Sequence, residues 1–81
     1  MTKVIFRKFR DGSVIALFPN IPWDNNGNIA SYMHVGQHGG ASPLIVADTK
    51  LAEKDEYAPL LRELKSLGYS NLKICKKILR H

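Results

Sequence analysis

The 81-residue chain is 44% hydrophobic and 23% charged, with a formal net charge of +5, which is typical of one small folded domain over residues 1–81. Its single cysteine, Cys75, excludes an intramolecular disulfide and a multi-cysteine zinc site, and it suits a reducing, cytoplasmic location. The N-terminal residues are charged by Arg7 and contain no long apolar run, so we expect neither a signal peptide nor a membrane span.

Residues 3–19, KVIFRKFRDGSVIALFP, predict a β-hairpin. Two β-rich runs flank Asp11-Gly12, a pair preferred by two-residue type I′ turns, and this turn would place Phe9 opposite Val14. In that register one face carries Val4, Phe6, Lys8, Ile15 and Leu17, and the other carries Ile5, Arg7, Phe9, Val14, Ala16 and Phe18. Because both faces are apolar, we expect the hairpin either to be covered twice or to offer one face to a partner.

Residues 19–30, PNIPWDNNGNIA, predict a loop rich in turn-forming residues. Three of them alternate like the first ligands of a calcium loop: Asp24, Asn26 and Asn28. That motif then requires a glycine where Ile29 stands and a glutamate where Val35 stands, so an ordinary loop tip is the preferred interpretation. We expect Trp23 to cover the small core; stacking on a ligand is the alternative.

Residues 31–40, SYMHVGQHGG, predict a strand that runs into a glycine hinge. Its inward side chains would be Ser31, Met33 and Val35, and its solvent-facing ones Tyr32, His34 and His38. A zinc site on the two histidines is disfavoured, because the glycines oppose a helix and no third ligand is near in sequence. After the hinge, PLIVADT at residues 43–49 is a candidate fourth strand.

Residues 52–68 predict the one helix, with its regular part at about residues 54–67. Its apolar stripe consists of Tyr57, Leu60, Leu61, Leu64 and Leu67. Gly68 is the expected stop, and Pro59 is an irregularity that removes a backbone donor. The following run, NLKICKKIL at residues 71–79, predicts a last strand with Leu72 and Ile74 inward.

This order of elements, β-β-β-(β)-α-β, predicts an α+β fold with a mostly antiparallel sheet and the helix packed on one face. The helix is long enough to carry the chain back across the sheet. We therefore expect the last strand to lie beside the first.

Two stretches, VIFRKFRDGSVIALFP (residues 4–19) and SYMHVGQHG (31–39), resemble a family of small uncharacterised proteins from gut bacteria and from their phages and mobile elements. The resemblance includes the helix around Tyr57 and covers most of the chain, but residues 41–54 and Pro59 depart from it. The family has no established activity. The resemblance therefore implies a cytoplasmic protein of a bacterial host cell and carries over no functional residues.

Basic residues crowd the two ends of the chain, at residues 3–10 and 73–80, and neither stretch contains an acid. If the first and last strands are neighbours, one side of the domain is basic, and such a side attracts phosphate groups or an acidic protein surface. The equally weighted alternative is that these lysines protect edge strands from aggregation.

The first functional hypothesis is a binding module for nucleic acid, in which cations hold phosphates and aromatic rings stack on bases. Its candidate residues are Arg7, Lys8, Phe9, Arg10, Phe18, Lys73, Lys76, Lys77 and Arg80. The alternative is a protein-interaction module, such as a phage-type inhibitor or regulator of a larger protein, with a homodimer as a variant.

A third hypothesis is an enzyme that uses Asp24, Tyr32, His34 and His38. A chain of this length rarely builds a deep pocket, and no acid–base pair stands out in the sequence. We therefore expect no catalytic residues, no bound metal and no cofactor.

Overall fold

The computed structural model describes residues 2–34 and 37–76, which form a six-stranded sheet, one α-helix and one 3-10 helix. The elements are β1 (Thr2–Lys8), β2 (Val14–Pro22), β3 (Ile29–Met33), β4 (Gln37–Ala41), the 3-10 segment (Pro43–Asp48), β5 (Lys50–Leu51), α1 (Lys54–Ser66) and β6 (Leu72–Ile74). Four residues used in the sequence analysis lie outside the described residues: Val35, Gly36, Lys77 and Arg80.

The sheet has the strand order β4-β3-β2-β1-β5, with β6 also paired to β1. Every pair is antiparallel except β1–β6, so the predicted α+β class and the return of the last strand to the first are confirmed. The outer edge of β1 is divided between two partners. Arg7 and Lys8 pair with β5, whereas Thr2, Lys3 and Val4 pair with β6.

The β1–β2 hairpin is closed by three residues, so the predicted two-residue turn is wrong. The Phe9 N–H donates to the Ser13 carbonyl at 2.9 Å, and the Gly12 N–H donates to the Phe9 carbonyl at 3.0 Å. Gly12 has φ of 91°, as expected where a type I turn ends in a left-handed residue and a bulge. The Asp11 carboxylate also accepts from the Ser13 N–H at 2.9 Å, which stabilises this longer turn.

The longer turn shifts the hairpin register by one residue. Lys8 lies opposite Val14, whereas the two-residue turn would have placed Phe9 there. A shift of one residue moves every side chain of one strand to the other face. The face under α1, called the helix face, therefore contains Val4, Phe6, Ala16, Phe18 and Tyr32, and the opposite face contains Ile5, Ile15, Leu17, Ile29 and Ala41.

Both faces of the hairpin are covered, which is the first of the two arrangements expected from its apolar sequence. Leu60 and Leu64 of α1 pack on the helix face, and Ile45 and Val46 of the 3-10 segment pack on the opposite face. The central strands are therefore buried on both sides, and the core has two layers.

Residues 43–48 form a 3-10 helix, so the strand predicted for PLIVADT is wrong. Pro43 stands at its start, and the Ser42 hydroxyl accepts from the Leu44 N–H at 3.2 Å. Pro43 lacks the N–H that a ladder needs, and the Ser42 cap favours a helical turn. Ile45 and Val46 are half-buried by packing on the sheet and not by pairing within it, whereas Leu44 is 71% exposed.

Arg7 of β1 links β1 to the 3-10 segment and to Thr49 through hydrogen bonds. Its Nη2 donates to the carbonyls of Val46 at 2.9 Å and Thr49 at 2.5 Å, and its Nε donates to the Thr49 hydroxyl at 3.1 Å. These contacts use the planar, forked geometry of the guanidinium group.

The helix spans Lys54–Ser66 and stops at Gly68, as predicted. The Gly68 N–H donates to the Lys65 carbonyl and the Tyr69 N–H to the Leu64 carbonyl, each at 3.1 Å, and Gly68 has φ of 105°. This is a Schellman motif, in which glycine is favoured because L side chains are strained at positive φ. The motif directs Tyr69 onto the helix face, where its ring stacks on Phe18 with centroids 5.3 Å apart.

Two predicted side-chain orientations are wrong. Tyr32, expected at the surface, is 1% exposed, because β3 is covered on the helix face as well as on the opposite face. Ile74, expected inward, is 42% exposed, whereas Leu72 packs against the core as predicted. The expected glycine hinge is also wrong, since Gly39 and Gly40 are part of β4.

Arg7→Lys should lower the free energy of unfolding by about 1.5–3 kcal/mol, because one ammonium cannot reproduce the forked contacts and a partly buried acceptor loses its donor. Urea unfolding followed by circular dichroism would measure the change. Arg10→Lys, at the exposed hairpin tip, is the matched control and should change stability little. Equal effects of the two substitutions would contradict the role given to Arg7.

Candidate functional site

The predicted binding residues are divided between structural contacts and free surface. Phe18 is 1% exposed, so it is not available to stack on a base. Phe9 is half-buried and packs against the core layer opposite the helix, and Arg7 is held by the 3-10 segment. These three residues therefore stabilise the fold.

Lys8 is also engaged in a contact within the protein, although its side chain stays partly exposed. Its ammonium group forms an ion pair with the Glu56 carboxylate, and the charges of Glu53 and Asp55 lie close by. The hydrogen bond to Glu56 is the main cause that raises the pKa of Lys8. The same bond, followed by the one from the Glu53 N–H, lowers the pKa of Glu56. The acidic cluster at the start of α1 thus neutralises the middle of the basic N-terminal stretch.

The remaining cations do not lie together. Arg10 is exposed at the hairpin tip, whereas Lys73 is exposed beside Lys3 at the other end of β1. Lys76 lies in a pocket with Glu53 at the start of α1. β1 is seven residues long, about 23 Å at the usual rise, so Arg10 does not share a patch with Lys73. The sheet therefore does not present one continuous basic and aromatic stripe.

One pair of lysines has no acidic partner among the described residues, and we call it the basic corner: Lys3 and Lys73. Lys3 of β1 is directly opposite Lys73 of β6 in the parallel pair. Lys76 lies apart from this pair, in a pocket that it shares with Glu53 and Tyr57 at the start of α1. Within residues 2–34 and 37–76, neither Lys3 nor Lys73 forms an ion pair with an acid. Like charges directly opposite one another destabilise a sheet, so this pairing has an energetic cost that a bound anion would offset.

The opposite edge of the sheet is the outer side of β4, Gln37–Ala41, which we call the β4 edge. Among the described residues, no strand pairs with this side of β4. Trp23 lies across Gly40: a Cβ atom added to Gly40 would be 2.2 Å from Cδ1 of the indole. Trp23 is nevertheless 52% exposed, so it covers the end of the edge strand and presents aromatic surface beside it.

Three of the four residues considered for catalysis lie close together: Tyr32, His34 and His38. The Glu63 carboxylate accepts from the Tyr32 hydroxyl through one oxygen, and its other oxygen is 2.5 Å from Nδ1 of His34. The His34 side chain is 77% exposed, so Glu63 orients a solvent-facing imidazole. Glu63 was not identified from the sequence, because it lies 29 residues after His34 and only the packing of α1 on β3 brings them together.

His38 joins the same region from β4. Its ring packs edge-on against Tyr32 with centroids 4.6 Å apart, and its Nε2 is 3.3 Å from the Tyr69 hydroxyl. His34 and His38 therefore each hydrogen-bond to a side chain that lies about thirty residues later in the sequence. In the described part of the chain, neither imidazole hydrogen-bonds to a serine, threonine or cysteine that could act as a nucleophile.

Asp24, the fourth residue, is separate and organises its own loop. Its carboxylate accepts from the Asn28 side chain at 2.8 Å and from the Asn26 N–H at 2.9 Å. These hydrogen bonds, with that from Asn28 as the largest contribution, lower the pKa of Asp24. The alternating Asp-Asn pattern thus closes a loop through hydrogen bonds. The described residues assemble no group of three or more histidine, cysteine or acidic side chains that could hold a metal ion.

Comparison with protein-family models, with curated proteins and with solved structures finds no match to this chain. The resemblance noted from the sequence therefore stays a prediction. In residues 2–34 and 37–76, no helix is both long and apolar enough to cross a membrane.

Acid should destabilise the protein partly through Glu56. A carboxyl whose pKa is lower in the folded than in the unfolded state stabilises the fold above its unfolded pKa, and this stabilisation disappears as pH falls through the folded value. Glu56→Gln should therefore flatten the fall in stability between neutral pH and pH values below 4. Denaturant unfolding across this range would show it, with Asp48→Asn as the control that keeps the full acid dependence. A Glu56→Gln profile parallel to the wild type would contradict the assignment.

Proposed function

We propose that the protein is a non-enzymatic binding module and that its basic corner binds the phosphate groups of a nucleic acid. The observation that carries this proposal is the register of the β1–β6 pair, which places Lys3 directly opposite Lys73 without an acidic partner in the described part of the chain. A phosphate between two ammonium groups would turn an unfavourable pair into a favourable triplet.

The distribution of acids supports the same site. The acidic residues at the start of α1 lie close to Lys8, in the half of β1 that pairs with β5. The half of β1 that pairs with β6 carries Lys3 opposite Lys73. The net charge of the chain is +5, and the lysine pair without an acidic partner in the described residues favours the approach of a polyanion.

The burial of Phe18 and the packing of Phe9 limit the mode of binding. Aromatic stacking on the sheet would require at least one of these rings to be free. We therefore propose contacts to the sugar–phosphate backbone with little sequence preference, since phosphate contacts carry no direct base information.

Binding of a fluorescent single-stranded oligonucleotide should weaken with salt. Releasing counterions at the two lysines of the basic corner predicts a slope of log affinity against log salt of about −1.4. The double variant Lys3→Gln/Lys73→Gln should remove most of that slope, as measured by fluorescence anisotropy. The matched control is Arg62→Gln/Lys65→Gln, which removes the same charge from exposed positions of α1. No binding at low salt, or equal loss in both double variants, would refute the proposal.

A second candidate function is protein interaction through the β4 edge. It is favoured by the unpaired outer side of β4, within the described residues, and by the exposed Trp23 beside it. An extended segment of another protein could add a strand there, with main-chain hydrogen bonds providing affinity. This function matches the expectation of a phage-type inhibitor or regulator.

Peptides selected from a random displayed library should test this second candidate. Bound peptides should protect the amides of residues 37–41 from hydrogen exchange, and N-methylation of peptide bonds on one side should abolish binding. Protection confined to other strands would contradict strand addition at β4.

We also propose a cytoplasmic location in a bacterial host cell. The free thiol of Cys75 and the absence of any second cysteine support a reducing compartment. The proposal of phage or mobile-element origin rests on the sequence resemblance alone.

A further inference from the structure

We infer that the β4 edge binds the β4 edge of a second copy of this chain. The two β4 strands would be antiparallel and related by a two-fold axis at Gly39. This inference does not depend on nucleic-acid binding; it names the occupant in the second candidate function. The dimer would continue the sheet of one copy into the sheet of the other, with both helices on the same side.

The first step is the contrast between the two edges of the sheet. Proteins protect exposed strand edges with charges, prolines or covering loops. The other edge carries Lys50 on β5 and Lys73 on β6. β4, with the sequence QHGGA, has no lysine, arginine, acid or proline. The β4 edge is therefore left without a charge or a proline against strand pairing, and the loop residue that reaches β4, Trp23, lies over Gly40.

The second step is the charge of the occupant. Because β4 itself carries no acid, lysine or arginine, it offers no ion pair to a strongly charged strand of either sign. A second β4 is itself uncharged apart from His38, so it matches this edge. The dimer also keeps two chains of +5 apart, since each basic corner lies on β6, beyond β1 and at the opposite side of the sheet from the junction.

The third step is the register. An antiparallel pair centred on Gly39 is the arrangement that pairs all five residues of β4, with Gln37 opposite the partner's Ala41 and His38 opposite the partner's Gly40. His38 and Gly40 lie on the helix face, because they pair with Tyr32 and Ala30 of β3. The two-fold axis keeps this face common to both copies.

In this register, Trp23 of one copy would contact His38 of the other copy. Trp23 covers Gly40 of its own chain and is half exposed, so the partner's His38 would meet its free surface. Tyr32 and Tyr69 already hold the His38 ring in place. The contact occurs twice in the dimer, as required of an interface in which the same patch is used by both copies.

Disulfide trapping tests both the dimer and its register in a Cys75→Ser background. Gly39→Cys should form an intermolecular disulfide with oxidised glutathione, because paired Cα atoms in antiparallel strands are about 4.5–5.5 Å apart. Gly39 accepts a side chain, since the nearest atom to an added Cβ is Ser31 Oγ at 3.9 Å. Gln37→Cys on the same strand should not be trapped, because its two copies would be roughly 14 Å apart. Leu51→Cys on β5 is a control for the other edge.

Light scattering of the wild-type protein provides a readout that needs no substitution, and the expected mass is twice 9.1 kDa. A monomer at the concentrations used for trapping would overturn the inference, as would faster trapping of Gln37→Cys or Leu51→Cys than of Gly39→Cys. A monomer that instead binds extended peptides at β4 would assign the edge to another protein. A monomeric protein that still binds the oligonucleotide in a salt-dependent way would refute the dimer but not the proposed nucleic-acid site.

Discussion

The division of the outer edge of β1 between two strands is the constraint on which the rest of the molecule depends. β1 contains a buried run, Val4, Ile5 and Phe6, that contributes to both core layers. One edge of β1 is paired to β2. The backbone groups of its other edge are hydrogen-bonded near Thr2 by β6 and near the hairpin by β5. Both the start of α1 and β6 are positioned by this requirement.

The same division separates the charges. β5 leads directly into α1, so the acidic first turn of the helix is delivered beside Lys8, and Glu56 both pairs with Lys8 and accepts from the Glu53 N–H at the helix start. β6 brings Lys73 opposite Lys3 instead. Lys8 and Lys3, which look equivalent in the sequence, thus have different environments: Lys8 is paired with an acid and Lys3 faces another lysine.

Much of the fold could be predicted from local sequence signals, because those signals act over a few residues. The stop at Gly68 is of this kind and is confirmed, and so is the apolar stripe of α1 except at Leu67, which is 51% exposed. The hairpin was predicted in the wrong register, since Asp11-Gly12 suits either turn and the choice depends on which residues must be buried on each face. The segment 43–48 has strand-like composition, but its Ser42-Pro43 start and the contacts of Arg7 favour a 3-10 helix.

The candidate site was less predictable than the fold, because it depends on long-range pairing. Lys3 belongs to the basic N-terminal stretch, but only the β1–β6 register distinguishes it from Lys8. Aromatic residues near basic ones suggested a stacking surface, yet Phe18 is needed to fill the core under α1. A sequence of this length has few large apolar residues, and the core takes them first.

The coverage of both sheet faces restricts where a partner can bind. α1 and the 3-10 segment occupy much of the two faces, so the sheet edges are left accessible for extended contacts, together with an open concavity of about 620 Å³ between β4 and the 3-10 segment. The edges differ in chemistry: one presents lysines in register, and the other presents an uncharged backbone beside an indole ring. A charged edge selects ligands by long-range attraction, whereas a neutral strand edge selects by hydrogen-bond geometry at short range. The two proposed ligands, a polyanion at one edge and an extended chain at the other, would therefore not compete, because neither requires the surface of the other.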